Sequence, residues 1–273
     1  MCASLPRPWA ELPADRLDDV VGVLTDIDDT LTAGGRIEAQ ALGALHALRS
    51  AGLPVVAVTG RPMGWSEPFA RDWPVAAIVA ENGAVALFRG PAGLQVDYAQ
   101  DAATRARNAG RLCQVLEQIE REVPGARRAG DSAGRVTDIA IDHNEFDRLP
   151  QAAIGRVVDI MRSAGMNATV SSIHVNGWFG EHDKLSGADW IVRRLFGREL
   201  AAERDRWIYV GDSPNDQTMF GAFALSVGVA NLLRFERSLT VWPAFLTRGE
   251  RGAGFAEVAQ SLLARRAIRK PAG

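Results

Sequence analysis

The chain has 273 residues, 31 basic and 33 acidic side chains and a formal net charge of −2, a length that suits two domains better than one. So balanced a charge gives no ground for a nucleic-acid or anionic-membrane partner, and Cys2 and Cys113 are too few for a disulfide scaffold or a zinc cluster. No apolar run nears the roughly 18 residues that span a bilayer and the first residues hold no signal-peptide core, so the expectation is a soluble protein of a reducing, cytoplasmic compartment.

Residues 1–19 read as an irregular N-terminal arm. The next stretch, V-V-G-V-L-T-D-I-D-D-T-L-T from Val20 to Thr32, begins as a buried strand rich in β-branched residues. It delivers Asp26, Asp28 and Asp29 together at its end. Carboxylates so close repel and raise one another's pKa; a hard cation held by oxygen ligands relieves them, and a solvated acidic turn is the other reading. Ala33-Gly34-Gly35 reads as a flexible break. Ile37, Ala41, Leu45 and Leu48 recur at helical spacing, with Gly52 placed to stop the helix. Apolar runs from Leu53 to Val58 and from Val75 to Ala80 then end in Thr59-Gly60-Arg61 and Glu81-Asn82-Gly83. Strand, helix, strand and strand again is the rhythm of a parallel sheet with crossover helices.

From Ala84 the rhythm changes. Ala84 to Phe88 and Leu94 to Tyr98 flank a Gly/Pro-rich turn, as in a hairpin. An amphipathic helix through Leu112 to Val123, a strand from Val136 to Ile141, a second helix through Ile154 to Met161, and short strands at Asn167–Ser171 and Ile173–Val175 follow. This is an α+β unit, placed at 84–180 between the two parts of an α/β core, 20–83 and 181–273. The α/β rhythm resumes with a helix from Lys184. A strand from Trp207 to Val210 follows, running into Gly211-Asp212-Ser213-Pro214-Asn215-Asp216. Leu225 to Val229 reads as a further strand, Phe255, Val258 and Leu262 mark a last helix, and Arg265 to Lys270 reads as a solvated basic tail.

Three loops thus follow predicted parallel strands, on the sheet edge where ligands bind in open α/β folds. Each alone is also ordinary turn chemistry; together they suit phosphoryl transfer. Asp26 and Asp212 can offer oxygens to Mg²⁺, and Asp26 can attack phosphorus as a carboxylate nucleophile. Asp28, two residues on and therefore on the same face, is the natural proton donor to the leaving alcohol and base for the hydrolytic water. Thr59 offers a hydroxyl, and backbone N–H groups around Gly60 can cradle phosphate oxygens. Lys184, in H-D-K-L-S-G at a helix start, is the candidate cation for transition-state charge; standing alone it would be a surface lysine.

D-I-D-D-T, T-G-R, the later lysine and G-D-S-P-N-D resemble the four motifs of the haloacid dehalogenase-like hydrolases, in the D-x-D-x-T form of the phosphatase branch. The insertion between the second and third motifs is similar to a C2 cap of the IIB, or Cof-type, class. The resemblance runs from about Val20 to Leu263 and implies a Rossmann-like parallel-sheet core with an inserted α+β cap. It also implies that Asp26 is the nucleophile and Asp28 the acid/base, with Asp28 lending its backbone carbonyl to Mg²⁺. Thr59 and Lys184 would hold the phosphate, Asp212 would ligate the metal, and Asn215 and Asp216 would support it.

The reaction these features imply is Mg²⁺-dependent hydrolysis of a small phosphorylated metabolite through an aspartyl-phosphate. The T-G-R and G-D-S-x-N-D pairing is similar to that of sugar-phosphate phosphatases. A phosphomutase of the same fold and a non-catalytic ligand sensor are the alternatives. Candidates for substrate contact from the cap are His174, Asn176 and Trp178, which alternation points the same way. Solvent exposure of His174 and interdomain packing of Trp178 are the competing reading. Arg127, Arg128, Arg135 and His143 are further polar residues of the cap.

Overall fold

The computed structural model describes residues 5–269; Cys2 and Lys270, which entered the sequence reading, lie outside the described residues. In chain order the strands are β1 (Arg7–Pro8), β2 (Gly22–Thr25), β3 (Thr32–Ala33), β4 (Arg36–Ile37), β5 (Val55–Val58), β6 (Ala77–Ala80), β7 (Val85–Gly90), β8 (Gly93–Tyr98), β9 (Arg127–Arg128), β10 (Asp138–Asp142), β11 (Asn167–Val170), β12 (His174–Trp178), β13 (Trp207–Gly211), β14 (Leu225–Gly228) and β15 (Phe245–Leu246). The α-helices are α1 (Ala39–Ser50), α2 (Met63–Asp72), α3 (Ala102–Glu122), α4 (Gln151–Ser163), α5 (Lys184–Phe196), α6 (Gln217–Ala222) and α7 (Arg251–Arg269).

One nine-stranded sheet carries the core, in the order β1-β15-β14-β13-β2-β5-β6-β7-β8. From β1 to β6 every pairing is parallel, and β7 and β8 add an antiparallel hairpin. The central strands read as unbroken apolar runs because both of their faces are covered. On one side Val23, Val55, Ala57 and Ile208 pack with α1 and α7 residues such as Leu45, Leu48, Phe255 and Leu262. On the other Leu24, Val56, Val58 and Tyr209 pack with Ala188, Ile191 and Val192 of α5 and with Met219 and Phe220 of α6.

The inserted unit has its own four-stranded sheet, β11-β12-β10-β9, and its own core. Ile139, Ile141 and Val175 face α3 and α4 through Leu116, Ile119, Val157 and Met161. Alternation sends the intervening residues to the opposite face. There the antiparallel register sets Asp138 beside Trp178, Ala140 beside Asn176 and Asp142 beside His174. A polar stripe thereby looks toward the core domain.

Several expectations are corrected. The arm is not irregular: β1 pairs with β15, and Trp9 is buried with its Nε1 donating to Ser261 at 3.0 Å. Ala33-Gly34-Gly35 is no loose break but a tight β3–β4 hairpin, its two glycines at φ 55° and 72°. The β7–β8 hairpin, expected in the inserted unit, is part of the core sheet, because Val85 to Leu87 are apolar enough to cover β6. The last helix runs on through Arg265, which pairs with Asp18 rather than pointing to solvent. Helix α2, absent from the sequence reading, forms with Pro68 inside it, and Trp65, Phe69 and Trp73, spaced by four, pack one above the next against the core.

Candidate active site

Strand β2 ends at Thr25, and the turn that follows brings Asp26 and Asp28 to the carboxyl edge of the sheet. Asp29 takes a left-handed conformation at φ 55°, which aspartate tolerates better than most residues. On the neighbouring strand, β13 runs into Gly211 and Asp212. The capping box formed by Ser213 and Asp216 then folds the loop back on itself. The lysine expected at a helix start is the first residue of α5, behind the Asp183 N-cap.

These segments converge. Lys184 is 3 % exposed, and its Nζ donates to Asp26 Oδ1 at 2.6 Å and to Asp216 Oδ1 at 2.7 Å. Asp26, Asp212 and Asp216 each offer an oxygen, all within 4.8 Å of one another. Burial, the largest influence, pushes the Asp26 carboxyl well above its usual range; Lys184 pulls it back, and Asp216 and Asp28 push it further up. Burial does the same to Asp212, with Asp26 and Asp216 adding to it. For Lys184 burial favours the neutral amine, but Asp216 and Asp26 outweigh it and hold the ammonium charged.

The three carboxylates do different work. Asp216 is fully engaged by protein donors: Lys184 and the Tyr209 hydroxyl (2.6 Å) on Oδ1, and the backbone N–H groups of Asp212 (2.9 Å) and Ser213 (3.1 Å) on Oδ2. It holds the loop. Asp212 is different, for its Oδ1 is buried with no hydrogen-bond partner. An orphaned carboxylate oxygen beside other carboxylates is costly unless a cation meets it. With three carboxylates in the cluster and one ammonium, which meets only two of them, a divalent ion of the Mg²⁺ type fits the donor set.

Asp28 and Thr59-Gly60-Arg61 line a chamber with Asp26, Ser213 and Asn215; the cap closes it with Ser171, Ser172, Ile173, His174 and Asn176. The Thr59 hydroxyl is buried and accepts from the Arg61 N–H at 3.0 Å. The Gly60 carbonyl accepts from Arg135 at 3.0 Å and from Asn176 at 3.2 Å, so the cap touches this loop directly. His174 bonds Glu145 at 2.8 Å. Trp178 does not reach the chamber. It lies in a neighbouring cleft with Lys184 and His182, its Nε1 donating to the His182 carbonyl at 2.8 Å. Of the other cap residues, Arg128 pairs with Glu120, His143 bonds the Ser171 carbonyl, and Arg135 is buried against Asp138.

Arg61 is the residue that sequence reasoning passed over as a site member. Its guanidinium holds Asp28 through three contacts of 2.9 to 3.1 Å and also donates to Asp131 (3.1 Å) and Glu145 (2.7 Å) of the cap. Glu145 is held down to about 2: burial opposes this, and hydrogen bonds from His174 and Arg61 prevail. The T-G-R motif was the available signal, but partners 70 and 84 residues away leave no mark on it. Asn231 was also missed; nothing in its neighbourhood in the sequence advertises it.

A parallel α/β core carrying these four motifs, interrupted between the second and third by an α+β cap, is the arrangement that the resemblance to the haloacid dehalogenase-like hydrolases implies. A family model described as haloacid dehalogenase-like hydrolase matches residues 23–104, which hold the first two motifs. No curated protein matches the chain significantly. Among solved structures, a Thermoplasma acidophilum protein is similar with a TM-score of 0.69 at 16 % identity, over 89 % of this chain and 98 % of that one. The sucrose-phosphatase of Synechocystis sp., solved with sucrose and phosphate, has a TM-score of 0.64 at 17 % identity, over 89 % and 98 % of the two chains. The C-terminal domain of a C. albicans trehalose-6-phosphate phosphatase has a TM-score of 0.66 at 14 % identity, over 97 % and 99 %. At such identities the likeness is one of fold.

Proposed function

We propose that the protein is a Mg²⁺-dependent phosphomonoesterase acting on a small phosphorylated metabolite, a sugar phosphate before others. The observation that carries this is the meeting of Asp26, Lys184 and Asp212, from three distant segments, around an unpartnered carboxylate oxygen. Asp26 attacks phosphorus while the bond to the leaving alcohol breaks, and Asp28 gives that oxygen its proton. Asp28 then takes a proton from the water that cleaves the aspartyl-phosphate. Arg61 fixes the Asp28 carboxyl in place, and Thr59, the Gly60 backbone and Lys184 hold the phosphate. Asp26, the Asp28 carbonyl and Asp212 would hold Mg²⁺, with Asn215 and Asp216 supporting the loop; bound there, the ion supplies positive charge to the phosphate oxygens. The fold relatives named for sucrose phosphate and trehalose 6-phosphate support a sugar-phosphate substrate.

We further propose the domain division that the sheets suggest. The core comprises residues 5–99 and 181–269, the cap residues 100–180, and His174 and Asn176 contact the leaving group. A panel of phosphorylated metabolites, assayed for released phosphate with and without Mg²⁺, tests the activity. Asp26→Asn is expected to lower turnover by about 10³-fold or more while the protein stays folded. Retained turnover removes the nucleophile assignment. An isomerised sugar phosphate in place of free phosphate would make the enzyme a mutase, and no turnover on any ester would make it a sensor.

A further inference from the structure

Asn231 stands just beyond β14, 2 % exposed, and belongs to none of the four motifs. Its side-chain amide joins three segments. Nδ2 donates to the Asp212 Oδ2 at 3.2 Å and to the backbone carbonyl of Asp29 at 2.9 Å, and Oδ1 accepts from the Arg251 N–H at 2.8 Å. Both amide hydrogens are thus used, and the amide cannot be turned over: the reverse orientation would set its oxygen against a carboxylate and a carbonyl. The anchor points are themselves fixed. Asp29 and Arg251 both have left-handed backbones, at φ 55° and 50°, and their side chains form an ion pair at 2.8 Å. The Ala230 N–H, one residue before the amide, donates to the Gly249 carbonyl at 3.0 Å.

The consequence falls on Asp212. A carboxylate at the end of a loop can rotate, presenting either oxygen or both. Here one oxygen is pinned by Asn231, and the other is the buried, partnerless Oδ1. We infer that Asn231 is a positioning residue for the divalent cation, orienting Asp212 so that a single oxygen is left free for the ion. The inference rests on the metal site of the proposed function and adds to it a residue outside the motifs. Partners of this kind, one step removed from a metal, are worth about 10- to 100-fold in metal affinity.

The test is Mn²⁺ binding to the metal-free protein, with free Mn²⁺ read by electron paramagnetic resonance. Asn231→Ala is expected to weaken binding by roughly tenfold or more, and to raise the Mg²⁺ concentration for half-maximal turnover in step, with the rate at saturating Mg²⁺ much less affected. Asn231→Ser serves where the alanine variant does not fold, and is expected to behave alike. Asp29→Asn is the control. It breaks the ion pair with Arg251 but keeps the backbone carbonyl that Asn231 uses, so Mn²⁺ affinity should stay within about twofold. Unchanged affinity in both Asn231 variants overturns the inference, and so does an equal loss in Asp29→Asn, which would mean that the corner had merely loosened. A wild-type protein that binds no Mn²⁺ overturns the metal site itself, a result distinct from either.

Discussion

At the scale of single residues, buried charge decides most of what this protein can do. Arg61 faces three carboxylates at 3 % exposure, and Lys184 faces two. Such groups persist in a core because removing either partner strands the other. His182 shows the reverse case, a titratable ring kept neutral. Burial lowers its pKa to about 4, against a slight opposing pull from Asp183, and its Nε2 has no partner. The folded chain therefore takes up this proton only near pH 4, whereas the unfolded chain takes it up near 6.5. The stability that His182 contributes is complete above pH 6.5 and is lost as pH falls toward 4, up to about 3 kcal/mol. Asp138 slopes the other way, since burial raises it to about 7 against the pull of Arg135; its contribution is present at low pH and fades as pH rises through 7. Comparing wild type with His182→Gln isolates the first effect. Urea midpoints between pH 4 and 7 should fall more steeply toward acid in the wild type than in the variant.

At the scale of elements, the joint between core and cap is built from short turns and the start of α2. The turn Glu81–Gly83 has left-handed backbones at Glu81 and Asn82, at φ 48° and 55°. That strained geometry buries the Glu81 carboxylate completely. There it accepts from the N–H of Met63 at the start of α2, from the N–H groups of Val136 and Thr137, and from the Thr137 hydroxyl. The lead-in to β10 is thus tied to β6 and α2 through one side chain. Backbone strain of this order, about 1–3 kcal/mol per residue, is tolerated where it serves such a junction. Glu81→Gln keeps the shape but removes the charge and turns one acceptor into a donor. It should cost about 1.5–3 kcal/mol, and amide hydrogen exchange at Val136 and Thr137 should speed up more than exchange in β2 or β13.

At the scale of the whole molecule, the cap sits down on the catalytic edge. The chamber between Asp26 and the cap face has a volume of about 10 Å³, room for about one water. A chamber of that size does not admit a phosphorylated metabolite, so the proposed reaction requires the cap to lift. Closure brings backbones together at Gly64: a Cβ there, in α2, would lie 2.9 Å from the Cα of Gly134 in the cap. No side-chain rotation relieves a clash between backbones. Gly64→Ala should hold the two domains apart, enlarging the radius of gyration in small-angle scattering and lowering kcat/KM by about 10- to 100-fold. An unchanged rate would show that turnover does not need this contact.

The sequence by itself determined the central core strands β2, β5, β6, β13 and β14 with helices α1, α5 and α7, and the places where carboxylates, Thr59 and Lys184 leave the chain. Buried strands are legible as apolar runs, and loops at their carboxyl ends as the sites of chemistry, because both are local consequences of burial. Only the tertiary structure decided that β7 and β8 extend the core sheet, that the arm supplies an edge strand, and that α2 forms despite Pro68. It also decided that Arg61 binds Asp28 and that Asn231 binds Asp212. These last two outcomes depend on partners 33 and 19 residues away. A hydrogen bond across such a distance is fixed by where the chain has folded, and leaves no pattern in the residues beside it.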